Sequence, residues 1–208
     1  MHEIQNPTAS PKRVPWNRGK LIGPRPPLRQ KDVWAIRTML QVEQKVRDLA
    51  LFNLAIDSKL RGCDVVAIRV DELPNGHAIA RASVRQRRTG RPVRFELIEQ
   101  TRQAINEYLG GSGRKVGDYL FDGRRPGQSM TTRQYARLLS EWLTAIGLDP
   151  RVYDTHSLRR TKATLIYRRT GNLRAVQLLR GHTKIESMVR YLGIDVDDAL
   201  AISEQVDI

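Results

Sequence analysis

The chain has 208 residues with a formal net charge of +14, long enough for one domain with a sizeable core. This charge points to a polyanionic partner, and a ribosomal or chromatin-type binder fits it as well as an enzyme does. A single cysteine, Cys63, excludes an internal disulfide framework and a multi-cysteine metal site, and the absence of any apolar run of about 18 residues argues against a membrane span.

Residues 1–30 are predicted to form a basic, proline-rich tail. They contain six of the ten prolines and six Lys and Arg residues against one acid, Glu3. Such a segment buries too little apolar surface to offset the entropy lost on ordering. We therefore expect it to be disordered or to lie draped over the domain, either as a basic arm that contacts phosphates or as a solvated leader.

Two helices are predicted to follow the tail. Asp32 can cap the first, and the second runs from about residue 44 to residue 60. The apolar positions of the first helix are Val33, Ile36 and Leu40. The second helix is apolar nearly all round, which predicts a central place in the core. We expect it to end at Arg61 and Gly62, because glycine commonly terminates helices.

Residues 77–97 change to a β pattern. Two alternating segments flank the turn RRTGR, with Thr89 and Gly90 at its tip, which predicts an antiparallel hairpin. The hairpin contains six arginines and no acid between its first and last arginine: Arg81, Arg85, Arg87, Arg88, Arg91 and Arg94. Taken alone, this pattern is consistent with a charged, exposed sheet edge.

Two further helices are predicted between the hairpin and the C-terminal segment. The first covers residues 96–109 and should end at the glycine pair that begins with Gly110. The second begins at a cap supplied by Thr131 or Thr132 and stops at Gly147. Their apolar positions have core spacing.

The segment from residue 153 to residue 191 carries the side chains needed for phosphodiester chemistry. His156 and Arg159 are three residues apart where a helix is predicted to begin, so they share a face. Arginine binds phosphate bidentately, and histidine transfers protons near neutral pH. His182 and Tyr191 follow, and a tyrosine hydroxyl can act as a covalent nucleophile. Taken singly, these residues are more often a solvated face, a helix cap or a core aromatic.

The order and spacing of HSLRR (156–160), LLRGH (178–182) and Tyr191 closely resemble the C-terminal motifs of the tyrosine recombinases, the phage integrase family. The resemblance covers about residues 31–208. It implies a mainly α fold with a small antiparallel β-sheet, as in the family's catalytic domain. It also implies a site-specific DNA recombinase or integrase that breaks and rejoins strands through a covalent 3′-phosphotyrosine, with no cofactor and no metal.

The resemblance further implies double-stranded DNA as the partner, a homo-oligomer (a tetramer) on that DNA, and a place in the bacterial cytoplasm, with the nucleoid. After Arg190 the chain is acidic with an apolar face, which could pack on its own domain or dock on a neighbouring subunit.

The family's active site maps onto individual positions of this chain. The catalytic residues that the resemblance implies are Arg61, Arg88, His156, Arg159, His182 and Tyr191. Asp64, three residues after Arg61, would hold the Arg61 guanidinium in position. The implied DNA-binding residues of the hairpin are Arg85, Arg87 and Arg91.

Arg88 departs from the family pattern, which has a proton-donating lysine at this place in the hairpin. A guanidinium has a pKa above about 12 and gives up a proton very reluctantly. We therefore expect Arg88 to stabilise the leaving oxygen by its charge alone, which predicts an active but slow enzyme.

Other interpretations remain open. The family usually has a helical core-binding domain before the catalytic one, and thirty proline-rich residues cannot form it. The layout is similar to the short recombinases that invert fimbrial promoters, and a truncated relic of a longer integrase is equally consistent with the length. A DNA-binding regulator that no longer cleaves is the main alternative function. A relaxing topoisomerase fits the HSLRR and LLRGH motifs less well.

Overall fold

A computed structural model describes residues 25–72, 80–125, 127–174 and 176. These residues form helices and one two-stranded antiparallel sheet, which confirms the predicted fold class. The helices are α1 (Gln30–Val42), α2 (Val46–Ser58), α3 (Gly62–Val65), α4 (Glu99–Ser112), α5 (Thr132–Ala145) and α6 (Thr155–Thr170), and the strands are β1 (Arg81–Arg85) and β2 (Pro92–Glu96). Within the described ranges, no helix has the length and apolarity needed to cross a bilayer.

Helix α2 is the centre of the core, as its sequence predicts. Eleven of its thirteen residues are buried, because α1, α4 and α6 all pack against it. Phe52 meets Trp142 of α5 edge to face, with ring centroids 5.7 Å apart. The Trp142 Nε1–H donates to Asp48 Oδ2 at 3.2 Å, so the indole is both packed and hydrogen-bonded. Helix α2 is therefore the element on which the neighbouring helices are positioned.

The C-terminus of α2 differs from the prediction. The helix ends at Ser58 rather than at Arg61 and Gly62, and Lys59 takes the left-handed conformation with a φ of 54°. Gly62 instead begins α3. A Cβ atom at Gly62 would lie 3.2 Å from Thr155 Oγ1, so the glycine allows the close approach of α3 to the start of α6 without displacing that side chain.

Two other helix ends also differ from the sequence pattern. Asp32 is the third residue of α1, not its cap, and its carboxylate accepts the Arg29 backbone N–H at 3.1 Å. Helix α4 runs through Gly110 and ends at Gly113, which has a φ of 66°. A glycine inside a helix lowers its stability without stopping it, whereas a left-handed residue does stop it. Thr131 caps α5 in a capping box, as one of the two predicted alternatives.

The hairpin has the predicted arrangement. β1 and β2 pair antiparallel, with Arg81 opposite Glu96 and Arg85 opposite Pro92. Side chains alternate along β1, so Ala82 and Val84 are buried while the arginines of the strand face solvent. The sheet therefore attaches to the core by one face and exposes a basic face.

The residues just before α1 lie along α6. Leu28 is buried, and its backbone N–H donates to Thr161 Oγ1 at 3.0 Å. The guanidinium of Arg160 donates to the backbone carbonyl of Arg25 at 2.6 Å. This end of the predicted tail packs on the domain, while residues 1–24 lie outside the described residues.

The ion pair between Asp57 and Lys162 should matter for stability. Lys162 Nζ lies 2.6 Å from Asp57 Oδ1, and Asp57 Oδ2 accepts the Ile98 N–H at 3.0 Å, so one buried carboxylate joins α2, α6 and the start of α4. Asp57→Ala would leave a half-buried ammonium and an amide without their partner. We expect it to lower the free energy of unfolding by about 3 kcal/mol, measured by urea denaturation.

The matched control for Asp57→Ala is Glu96→Ala. Glu96 pairs with Arg81 on the exposed side of the hairpin, where both side chains are largely solvated. Its loss should change the free energy of unfolding by less than about 1 kcal/mol. Equal effects of the two substitutions would show that burial does not set the strength of the Asp57 pair.

Candidate active site

Arg159 lies at the junction of α2 and α6 and is the most deeply buried of the predicted catalytic residues that the structure describes. Helix α6 begins at Thr155 because the Asp154 carboxylate accepts the backbone N–H groups of His156 at 2.8 Å and Ser157 at 3.0 Å. This start places Arg159 in the second turn. Its Nε–H donates to the Lys59 carbonyl at 2.8 Å, and only 7% of the residue is exposed.

The environment of Arg159 disfavours its positive charge. Burial, and after it the charge of Arg61, lowers the pKa of Arg159 to about 10, against the opposing effect of Asp64. The guanidinium therefore remains a cation at neutral pH. Among the described residues no carboxylate lies within salt-bridge distance of it. A buried cation of this kind gains free energy when an anion reaches it.

Arg61 lies at the same junction, three residues after the end of α2. It is the N-cap residue of α3, and its Nη1 donates to Gln86 Oε1 at 2.9 Å. After burial, the positive charge of Arg61 is the next cause that lowers the pKa of Arg159, so each guanidinium lies within range of the other's charge. Two neighbouring arginines are suited to the two non-bridging oxygens of one phosphate.

Asp64 contacts a different group from the one that the sequence predicts. Its Oδ1 accepts the Arg87 backbone N–H at 3.0 Å and lies 3.8 Å from the Cys63 thiol, and Oδ2 has no hydrogen-bond partner among the described residues. The expected contact with the Arg61 guanidinium is not formed, because that guanidinium is directed to Gln86. Asp64 instead fixes the hairpin backbone and adds a negative charge near Arg159.

The hairpin turn presents its arginines to solvent. Arg85 Nη1 donates to the Gly90 carbonyl at 2.7 Å, which braces the turn. The side chains of Arg87, Arg88 and Arg91 are exposed and make no hydrogen bond or ion pair with any described residue. Donor groups in this state remain available to a polyanion.

His156 is exposed at the start of α6, 3.5 Å from Asp154 through its Nδ1. Burial raises the pKa of Asp154, but hydrogen bonds and charge from His156, together with the Ser157 N–H, outweigh it and leave that pKa below its ordinary value. His182 and Tyr191 lie outside the described residues, so their predicted places in the site stay predictions. Within the described ranges, no group of three His, Cys, Asp or Glu residues could hold a metal ion.

Sequence reasoning missed two components of this site. One is the Lys59 carbonyl, since a backbone acceptor leaves no mark in a side-chain pattern. The other is Gln86, which is only 7% exposed. Gln86 directly follows β1 and continues the alternation that buries Ala82 and Val84. A polar residue at such an inward-facing position is the sequence signal that could have identified it.

Arg159→Met tests whether the buried cation serves the fold. The substitution removes a desolvated charge and one hydrogen bond while it keeps an unbranched stem. We expect the free energy of unfolding to stay within about 1 kcal/mol of the wild-type value or to rise, because apolar replacement of a buried ion is often neutral or stabilising. Urea denaturation measures this, and a loss above about 2 kcal/mol would mean that Arg159 is needed mainly for folding.

Comparison with known proteins gives the family of the chain. The model of the phage integrase family matches residues 27–197. A probable integrase/recombinase, YoeC of Bacillus subtilis, is 31% identical over 156 residues, covering 74% of this chain and 82% of its own length. The tyrosine recombinase XerA of Saccharolobus solfataricus is 27% identical, covering 88% of this chain. The chain spans 60% of that XerA and 53% of the XerC of Syntrophus aciditrophicus.

Solved structures share the fold. A XerA recombinase crystal structure superposes with a TM-score of 0.73 over 93% of this chain and 69% of its own, at 18% identity. The XerH recombinase bound to its palindromic difH substrate, in a post-cleavage complex, gives a TM-score of 0.68 over 86% of this chain and 54% of its own, at 16% identity. With the family match across most of its length, the chain belongs to the phage integrase family, the tyrosine recombinases.

Proposed function

We propose that this protein is a site-specific DNA strand transferase that cuts and rejoins DNA through a covalent 3′-phosphotyrosine. The observation that supports this most is the pair formed by Arg61 and Arg159, two cations at one junction. Arg159 is buried, and no carboxylate of the described residues lies within salt-bridge distance of it. Such a pair lowers the stability of the free protein, because two like charges lie near each other and one of them is desolvated. The pair is suited to an anion with two non-bridging oxygens. A scissile phosphodiester is the anion that the family's chemistry supplies.

The chemistry follows from these positions. Arg61 and Arg159 would bind the two non-bridging oxygens and stabilise the charge that grows on them in the transition state. Tyr191 would attack phosphorus, so that a tyrosine O–P bond forms while the bond to the 5′-oxygen breaks. His156 and His182 would orient the phosphate and assist proton movement. A 5′-hydroxyl of a partner strand then reverses the step and conserves the bond energy.

Arg88 would contribute charge at the leaving 5′-oxygen. Arg88 is an exposed residue of the hairpin turn whose side chain has no partner among the described residues, which leaves its guanidinium available to DNA. Because a guanidinium is a poor acid, the departing oxygen would take its proton from His156 or from water. Loss of general-acid help typically costs about 10² to 10⁴ in rate, so we infer a slow enzyme.

Double-stranded DNA is the proposed partner, and the proposed assembly on it is a tetramer on the bacterial chromosome. The net charge of +14 and the exposed arginines 85, 87 and 91 of the hairpin support DNA binding. The XerH structure with difH and the Tn1549 integrase structure with circular intermediate DNA are complexes of the same fold with DNA.

The experiment that tests the proposal is a search for the covalent adduct. The protein is incubated with nicked and supercoiled plasmid that carries the DNA flanking its own coding region. We expect an SDS-resistant, protease-sensitive protein–DNA adduct with the wild type and none with Tyr191→Phe, because that change removes only the attacking hydroxyl. DNA binding should be the same for both proteins.

Tyr167→Phe is the matched control, since it removes a tyrosine hydroxyl from α6 outside the motifs and should leave the adduct intact. An adduct that persists in Tyr191→Phe would contradict the assignment of the nucleophile. DNA binding without any wild-type adduct would favour the alternative function, a regulator that binds DNA and no longer cleaves.

A further inference from the structure

Gln86 forms a bridge between the site and the hairpin turn. Its Oε1 accepts a hydrogen bond from Arg61 Nη1 at 2.9 Å and a second from Thr89 Oγ1 at 2.8 Å. The backbone of Gln86 is fixed as well, since its N–H donates to the Arg91 carbonyl at 2.9 Å and its carbonyl accepts the Gly90 N–H at 2.8 Å. Gln86 is nearly buried, and both its backbone and its side-chain oxygen are hydrogen-bonded, so it acts as a rigid spacer.

The bridge determines where the turn stands relative to Arg61. One acceptor oxygen receives two donors, so the separation of the Arg61 guanidinium and the Thr89 hydroxyl is set by two hydrogen bonds. Arg61 gives up one of its five N–H donors to Gln86, and the others remain for a phosphate. Arg88 immediately precedes Thr89, so the bridge also restricts the position of the Arg88 Cα atom.

A second attachment holds the start of the same turn. Asp64 accepts the Arg87 backbone N–H at 3.0 Å, which ties the entry of the turn to α3. Besides its bond to Gln86, the Thr89 hydroxyl has one further hydrogen bond among the described residues. It accepts the Arg91 N–H at the long distance of 3.4 Å. Among the described residues, the Gln86 bridge therefore links Thr89, the neighbour of Arg88, directly to Arg61 through one side chain.

We propose that Gln86 and Thr89 are positioning residues that hold Arg88 against the leaving 5′-oxygen of the phosphate bound by Arg61. The inference rests on the proposed function. In the cleavage step the tyrosine hydroxyl gives its proton to water and its oxygen bonds to phosphorus, while the electron pair of the broken P–O bond goes to the 5′-oxygen. The Arg88 charge stabilises that oxygen until His156 or water protonates it. A displacement of about 1 Å in such an arrangement can cost about 100-fold in rate.

The test measures single-turnover cleavage at saturating protein with two matched substrates. One is normal DNA, and the other has sulfur in place of the 5′-bridging oxygen of the scissile phosphate. A thiolate leaves without stabilisation by a cation or a proton, since its thiol has a pKa of about 8.5. Thr89→Val keeps the shape of an exposed side chain and removes only the hydroxyl, and Gln86→Leu removes the shared acceptor.

We expect Thr89→Val and Gln86→Leu to slow cleavage of normal DNA by about 10- to 100-fold and to cleave the sulfur substrate at nearly the wild-type rate. The two changes together should cost no more than the larger single effect, because they break the same bridge. Thr89→Ser, which restores the hydroxyl, should recover the rate. Thr144→Val, which removes an exposed threonine hydroxyl from α5, should cleave both substrates like the wild type.

Two results would overturn the inference while the wild type still forms its adduct. Equal slowing of both substrates by Thr89→Val would show that the bridge supports the whole site and not the leaving group. An unchanged rate on normal DNA would show that the bridge has no role in the reaction. A wild type that forms no adduct on either substrate overturns the proposed function, and the inference with it.

Discussion

The hydrogen bond from Arg159 to the Lys59 carbonyl is the contact on which the site depends. It joins the end of the central helix α2 to the second turn of α6, and it is available because Lys59 leaves the helix in a left-handed conformation. The Lys59 carbonyl at the helix end therefore accepts a hydrogen bond from the buried Arg159 guanidinium instead of from a capping backbone amide. Nothing in this contact neutralises the charge, so the fold keeps a cation ready for an anion.

The hairpin is connected to this junction through both ends of the single turn α3. Arg61, before the turn, reaches Gln86, and Asp64, within it, reaches the backbone of Arg87. Gly62 lies between them and allows α3 to approach Thr155 at the start of α6. The packed face of the hairpin attaches the sheet to the core, and these short links then connect the basic turn to Arg61 and α3.

Much of this arrangement could be predicted from the sequence, where pattern and physics agree. The apolar circumference of α2 predicted its burial, and the alternation of the hairpin predicted its inward and outward faces. The end of α2 could not be predicted, because a lysine rarely takes a left-handed conformation and Gly62 offered a more conventional stop. The partner of Asp64 was missed for a related reason, since the spacing of residues 61 and 64 does not reveal a hydrogen bond to the hairpin turn farther along the chain.

A charge-neutral substrate tests most directly whether the buried charge of Arg159 stabilises the phosphate. Replacing one non-bridging oxygen of the scissile phosphate by a methyl group removes the negative charge that the arginine would stabilise. Single-turnover cleavage by Arg159→Met should be undetectable on normal DNA and should return on one stereoisomer of the methylphosphonate. If the variant stays inactive on both stereoisomers while the wild type cleaves one of them, the charge of Arg159 is not what the reaction requires.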